Sequence, residues 1–170
     1  LDAVMAAIEL LGREGGIGHK NLVLSTVGDA RLFERLAALG AGEVKPALAL
    51  SLHSTIDARR QVLLPRAPRI APADLLELGE RYARASGYPV QLQWTLLEGV
   101  NDGDDEIDAL VALLRGKYAI LNMIPYNAVE GFAHRRPSPE RCTAIFRALN
   151  QRGVLTRMRQ ENGGLFATAR

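Results

Sequence analysis

Cysteine and long apolar segments are scarce in this chain of 170 residues. Cys142 is its one cysteine, which excludes an internal disulfide framework and a metal site built from a cysteine cluster within this chain. No apolar run reaches the ~18 residues that a membrane-spanning helix requires. The first residues also lack the charged and apolar pattern of a secretion signal. We therefore expect a cytoplasmic protein with no membrane partner.

Several common catalytic and nucleotide-binding motifs are absent as well. No GxGxxG or GxxxxGK[ST] segment follows an apolar run, which argues against a nucleotide-binding doubly wound sheet. No HExxH segment suggests a metal hydrolase, and no nucleophilic triad is visible. Cys142 lies among apolar neighbours, so we expect a buried structural thiol rather than a reactive one.

What the chain does contain is typical of one globular domain spanning residues 1–170, with 48% hydrophobic and 24% charged residues. Its charge is unevenly distributed. Residues 131–170 carry eight arginines against two glutamates, whereas the remainder is slightly acidic. Arginine suits phosphate, so this basic segment indicates either a polyanionic partner or merely a charged outer helix face.

Helical and strand patterns alternate along the chain. Continuous apolar strands separated by helices predict a parallel sheet covered by helices. The alternation leaves two architectures open, an open doubly wound sheet and part of a β/α barrel. The predicted strands are 21–26, 46–52, 90–97, 118–124 and 154–159, and the predicted helices are 2–14, 30–39, 74–86, 104–115 and 137–150.

Ligands of parallel α/β folds bind at the carboxyl ends of the strands. The first four predicted strands end in polar residues, which predicts a polar ligand at one rim. Each residue also has a structural explanation, since serine and threonine cap helices and Asn-Asp-Gly favours turns. In strand order these residues are Ser25-Thr26, then Ser51 and His53, then Glu98, Asn101 and Asp102, and finally Asn127.

Four segments carry a resemblance to a known family: LSTVG (24–28), ALALSLHSTIDARRQVLLP (47–65), LLEGVNDGDDE (96–106) and ILNMIPYNAVEG (120–131). Their order and spacing over roughly residues 1–160 resemble the adenine C2 methyltransferases of ribosomal and transfer RNA and their adenine C8 relatives. These are radical S-adenosylmethionine (SAM) enzymes. The resemblance implies a partial (β/α) barrel of the radical SAM type, with parallel strands and the helices outside.

The resemblance also implies site residues and partners. Ser25, the Ser51-Leu52-His53 segment and Asn127 match SAM contacts of the family. The implied function is methylation of an adenine of large-subunit ribosomal RNA, with transfer RNA as a second candidate substrate. The implied cofactors are SAM and a [4Fe-4S] cluster, which requires an electron donor. The basic segment would face the RNA, with Arg135 and Arg136 as candidate contacts.

Two departures from the family change the expectation for this chain. The CxxxCxxC cluster motif is absent, so the chain should correspond to the C-terminal portion of a longer protein, bind no cluster and be inactive alone. The family's methyl-carrying cysteine has no counterpart in RQENGGLFATAR (159–170). Two alternatives therefore stay open: a radical SAM-fold paralogue of other chemistry, and a non-catalytic α/β module that binds a small ligand or a protein.

Overall fold

The computed structural model describes residues 1–128, Gly131 and 133–159. Five strands form one sheet: β1 (Val23–Thr26), β2 (Ala47–Ser51), β3 (Val90–Leu96), β4 (Ala119–Pro125) and β5 (Thr156–Met158). The helices are α1 (Asp2–Arg13), α2 (Ala30–Ala37), α3 (Asp57–Leu63), α4 (Pro72–Ser86), α5 (Asp104–Leu114) and α6 (Pro139–Gln151), with a short 3-10 turn at His19–Asn21. None of these described helices is long and apolar enough to cross a bilayer.

The strand order in the sheet is β1-β2-β3-β4-β5, and every neighbouring pair is parallel. Because right-handed crossovers between sequential parallel strands place the connecting helices on the same face, this order produces part of a β/α barrel. A doubly wound sheet would instead reverse its strand order at one point. The structure thus confirms the predicted partial barrel and excludes the open doubly wound sheet.

The two faces of the sheet carry different side chains. Gly79 of α4 lies so close to the sheet that an added Cβ would stand 2.6 Å from Leu50 and 3.2 Å from Val90. These two side chains therefore point toward the helices, and by alternation Trp94 does so too. Trp94 is completely buried, as expected of a core residue. The opposite face, here called the concave face, carries both polar and apolar side chains. In strand order they are Val23, Ser25, Ala47, Ala49, Ser51, Gln91, Gln93, Thr95, Ile120, Asn122, Ile124 and Arg157.

Two helices end in residues whose local chemistry explains the boundary. Asp29 accepts a hydrogen bond from the backbone N–H of Arg31 at 3.0 Å and so caps α2. Gly87 ends α4 with a φ of 82°, a left-handed conformation that glycine adopts without strain. The Cys142 side chain is buried in α6, and burial raises the pKa of its thiol. The prediction of a structural thiol is therefore confirmed.

Helix α3 is the element that the sequence pattern did not predict. It has only seven residues, and Arg60 is its one fully buried side chain. An apolar stripe is the signal by which helices are recognised in sequence. A short helix attached through an arginine carries no such stripe.

Candidate functional site

The predicted site residues lie along one rim of the sheet, where the strands end. Ser25 and Ser51 both face the concave side, and their hydroxyl groups make no hydrogen bond to any described residue. Asn127 is exposed just beyond β4, and its amide likewise has no partner within the described range. Leu52 differs, because its side chain is 1% exposed and belongs to the core. Its backbone is occupied too, because its N–H donates to the carbonyl oxygen of Gln93 at 3.0 Å and its carbonyl oxygen accepts from the N–H of Ser54 at 2.7 Å.

His53 is the titratable group of this rim. Its Nδ1 accepts a hydrogen bond from the backbone N–H of Thr95 at 3.1 Å. The neutral ring therefore carries its hydrogen on Nε2. Burial, together with the positive charge of Arg60, lowers the pKa of His53 to about 4. At neutral pH His53 is thus an uncharged hydrogen-bond donor.

The backbone of His53 is held in an unusual conformation. Its φ of 57° is the one positive value among the described non-glycine residues, and such a conformation persists only where the surroundings enforce it. Asn101, which is fully buried, provides that support. Its Nδ2 donates to the carbonyl oxygens of His53 and Thr95 at 2.7 Å each, and its Oδ1 accepts from the N–H of Leu97 at 2.8 Å.

A second buried group fixes the segment that follows His53. The Glu106 carboxylate, at the start of α5, is fully buried. It accepts hydrogen bonds from the Ser54 hydroxyl at 2.8 Å and from both the N–H and the hydroxyl of Thr55. The guanidinium group of Arg59 in α3 forms an ion pair with this carboxylate, with 2.5 Å between Nη1 and Oε2. Asn101 and Glu106 together anchor His53 and the two residues after it to the loop and helix that follow β3.

Arg60 links the first two strand ends. Its guanidinium donates to the carbonyl oxygens of Val27 at 2.6 Å and Ser51 at 3.2 Å. Because Val27 directly follows β1 and Ser51 ends β2, this buried arginine sets the spacing of the rim at Ser25 and Ser51. The polar strand ends alone indicate neither Arg60 nor Glu106 as a site-forming residue. The charged DARR and DDE segments beside the polar strand ends were the signal available for both.

A cavity of about 320 Å³ opens beside His53. Tyr126 and His134 form one wall, with their ring centres 6.2 Å apart in an edge-to-face arrangement. Its remaining lining is mostly aliphatic. A planar ring of nucleobase size fits such a volume, with the His53 Nε2–H as a polar contact. The lining residues are His53, Leu63, Leu64, Thr95, Leu97, Tyr126 and His134.

The other polar residues at the end of β3 have structural roles. Asn101 is buried, as described above, and Asp102 accepts a hydrogen bond from the N–H of Gly99 at 2.8 Å. Glu98 pairs with Arg135 at 2.9 Å. Of the two explanations that the sequence left open for this turn, the structural one therefore accounts for Asn101 and Asp102.

Several arginines of the basic segment have acidic partners within the fold. Arg135 pairs with Glu98, Arg141 with Asp104, and Arg152 with Asp108. These pairs lie at the surface, where they leave the guanidinium groups hydrated and accessible. Of the cysteine-free segment 159–170, only Arg159 belongs to the described residues.

The residues of this chain do not fit an iron–sulfur cluster. Such clusters are held by several cysteine thiolates, and this chain has Cys142 alone, buried in α6. Within the described ranges no group of three histidine, cysteine, aspartate or glutamate side chains could hold a metal ion. Any cluster chemistry would have to be supplied from outside this segment.

Comparisons with known proteins place this geometry in context. No protein-family model matches the chain. A protein from Methylibium petroleiphilum named probable RNA methyltransferase is 65% identical over 163 residues, which cover 96% of this chain and 46% of that protein. A probable RNA methyltransferase from Stutzerimonas stutzeri is 62% identical, with 96% and 47% covered. The chain thus spans about half the length of the curated relatives that it matches.

Among solved structures, a radical SAM methyltransferase from Sphaerobacter thermophilus superposes with a TM-score of 0.86 at 31% identity. The match covers 95% of this chain and 47% of that structure. Along nearly its whole length, this chain therefore has the fold of about half of a radical SAM methyltransferase, and its sequence is similar to half of proteins named probable RNA methyltransferases.

Proposed function

We propose that residues 1–170 form one domain, the C-terminal portion of a radical SAM RNA methyltransferase, and that this domain supplies part of the SAM site. The observation that carries the proposal is the set of free polar groups at the ends of β1, β2 and β4. The hydroxyls of Ser25 and Ser51 and the amide of Asn127 have no described partner. The relatives from Methylibium petroleiphilum and Stutzerimonas stutzeri are named probable RNA methyltransferases, which supports the same activity.

The chemistry of the rim fits SAM. SAM carries an amino acid group, ribose hydroxyls and an adenine ring, and the free hydroxyl and amide groups can bind the first two. The uncharged Nε2–H of His53 and the adjoining cavity suit the flat adenine ring. When bound, SAM supplies the methyl group. In this proposal Ser25, Ser51 and His53 hold and orient it, and Asn127 binds from beyond β4. Leu52 packs in the core and so fixes the position of its two neighbours.

In the finer form of this proposal, the methyl group is transferred to C2 of an adenine in large-subunit ribosomal RNA, and transfer RNA is a further substrate. It is supported by the order of the SLH, VNDG and IPYN segments. In this proposal the protein acts in the cytoplasm, a [4Fe-4S] cluster and its electron donor act through the rest of the protein, and the exposed arginines after β4 contact RNA phosphates.

SAM binding by the chain tests the first proposal. Isothermal titration with SAM should give saturable binding, and Ser51→Ala should weaken it about tenfold, because one hydrogen bond is worth roughly 1.4 kcal/mol in a well-formed site. Ser138→Ala is the matched control, since that serine only caps α6. Absence of SAM binding, or equal affinity in the two variants, would overturn the proposed site.

A chimera tests the activity. Residues 1–159 would replace the matching segment of the Methylibium petroleiphilum relative, and methyl transfer from labelled SAM to ribosomal and transfer RNA would be measured. Methylated adenine in the RNA is the expected product. SAM cleavage without RNA methylation would instead favour a paralogue of other chemistry, and neither reaction would favour a non-catalytic ligand-binding module.

A further inference from the structure

A row of polar side chains starts at the rim and crosses the concave face. Ser51 of β2 pairs in register with Gln93 of β3, Gln93 pairs with Asn122 of β4, and Asn122 pairs with Arg157 of β5. Paired residues of adjacent parallel strands lie about 5 Å apart with their side chains on the same face. Gln91, two residues before Gln93, joins them from the row below. The row therefore begins at one of the SAM-binding candidates and leads into the interior of the half barrel.

Asn122 has the most informative environment of this group. It is 9% exposed, and its Nδ2 donates to Oε1 of Gln91 at 3.2 Å. Its Oδ1 is buried and accepts no hydrogen bond from any described residue. An unsatisfied buried oxygen is costly, and native structures tend to give each one a partner. The position thus calls for a hydrogen-bond donor that reaches the concave face.

Two further amides lie beside that oxygen. Gln91 uses its oxygen in the bond from Asn122, which leaves its NH₂ group available. No hydrogen bond joins the Gln93 side chain to another described residue. Gln91, Gln93 and Asn122, here called the amide cluster, therefore present both donors and acceptors, and none of the three is charged. Such a surface matches a neutral, planar group with a donor and an acceptor on one edge.

We propose that the amide cluster binds the edge of an adenine base. Asparagine and glutamine amides pair with adenine in a bidentate manner, because the exocyclic amino group of adenine donates while its neighbouring ring nitrogen accepts. Guanine presents two acceptors on the same edge and suits arginine or lysine instead. The amino group of adenine would supply the donor that Oδ1 of Asn122 lacks. This inference rests on the proposed function and specifies which group the interior of the barrel selects.

The base can come from two sources. SAM contains an adenine, and the proposed RNA substrate presents another. The cavity beside His53 already suits the adenine of SAM, and the amide cluster lies deeper and across β3 and β4. If the adenine of SAM occupies the cavity, the amide cluster is left for a target adenine of the RNA, and this is the occupant that we favour. The experiment below distinguishes the adenine of SAM from the adenine of RNA.

Nuclear magnetic resonance of the 170-residue chain tests the inference through the side-chain NH₂ signals of asparagine and glutamine. Adenosine monophosphate should shift the signals of Asn122 and Gln93 saturably, whereas guanosine and uridine monophosphates should not. S-adenosylhomocysteine and a short adenine-containing RNA are the two further probes. If the RNA alone moves these signals, the target base occupies the cluster; if S-adenosylhomocysteine alone does, the cofactor's base occupies it.

Two variants and one control complete the test. Asn122→Leu and the more exposed Gln93→Leu should each weaken adenosine monophosphate binding about tenfold, the usual effect of losing a bidentate contact. Gln151→Leu, at the exposed end of α6, should not change it. Circular dichroism melts show whether each variant folds. If Asn122→Leu does not fold, the binding measured for Gln93→Leu decides the test.

Signals that respond to no nucleotide, or equally to uridine monophosphate, would overturn the inference. So would variants that bind adenosine monophosphate as tightly as the parent chain. If SAM still bound at Ser51 in those experiments, the proposed function would stand without the amide cluster. If SAM binding were absent as well, the proposed function would fail independently.

Discussion

Replacing Asn101 by alanine should destabilise the chain by about 3 kcal/mol. The fully buried amide of Asn101 makes three hydrogen bonds of 2.7 to 2.8 Å, to Leu97, His53 and Thr95. Each typical hydrogen bond contributes about 1 kcal/mol net, and the backbone groups left without a partner keep the cost at or above that sum. The equilibrium constant for unfolding should therefore rise roughly a hundredfold.

Urea denaturation followed by circular dichroism measures this loss, with equal slopes required for a two-state comparison. Asn101→Asp tests the contribution of the donating NH₂ group. It keeps the oxygen that accepts from Leu97 but replaces the NH₂ group with an oxygen of an anion, which faces two carbonyl oxygens. It should be at least as harmful as alanine. The exposed Asn21 gives the matched control, since Asn21→Ala should change stability by less than about 0.5 kcal/mol. A loss below about 1 kcal/mol for Asn101→Ala would refute the argument that this amide holds the His53 turn.

Three further outcomes follow from buried groups. The folded pKa of His53, about 4, lies below the unfolded value of about 6.5, so the unfolded chain binds the proton first as the pH falls. Stability should thus be fully present above about pH 6.5 and should drop by about 2 kcal/mol by pH 5; urea melts of the parent chain and of His53→Asn measure this, and equal pH dependence in both would contradict it. Glu106→Ala should cost at least about 3 kcal/mol, because it leaves Arg59 and Thr55 without their buried partner, whereas the surface variant Asp108→Ala should cost under about 1 kcal/mol. Ellman's reagent should label Cys142 at least about tenfold more slowly in the native chain than in urea, since its thiol is buried with a raised pKa; equal rates would contradict that explanation.

Much of the fold could be predicted from sequence because the strands and longer helices carry strong, separate signals. The alternating apolar residues of β3 and the acidic start of α5 define their elements without reference to the rest of the chain. The common location of the strand ends could be predicted as well, because the carboxyl ends of parallel strands lie at the same rim of a sheet. The sequence alone therefore predicts that Ser25 and Ser51 lie on the same rim.

The supports of that rim were not predictable in the same way. Asn101 hydrogen-bonds to His53, 48 residues away, and Glu106 to Ser54, 52 residues away. In sequence, Asn-Asp-Gly looks like a turn and Asp-Asp-Glu like an acidic helix start, and both features are present. Their second role depends on the packing of β2 against β3, which local patterns do not encode.

The amide cluster illustrates the same limit. Gln91 and Gln93 alternate with apolar residues along β3, a pattern that would equally suit a strand with one face in water. Only the register with β2 and β4 places Gln93 in line with Ser51 and Asn122. Neighbouring strands, rather than the strand itself, turn a polar face into a candidate binding surface.

The sequential strand order also has a consequence for how the chain folds. Among the described strands, each pairs only with its immediate neighbours along the chain, so every such pairing can form as soon as the next strand–helix unit emerges from the ribosome. Contacts between near neighbours close small loops and favour rapid folding. Such a sheet can also be lengthened at β1 or β5 without disturbing any existing pair, so the topology accommodates growth by one unit at a time.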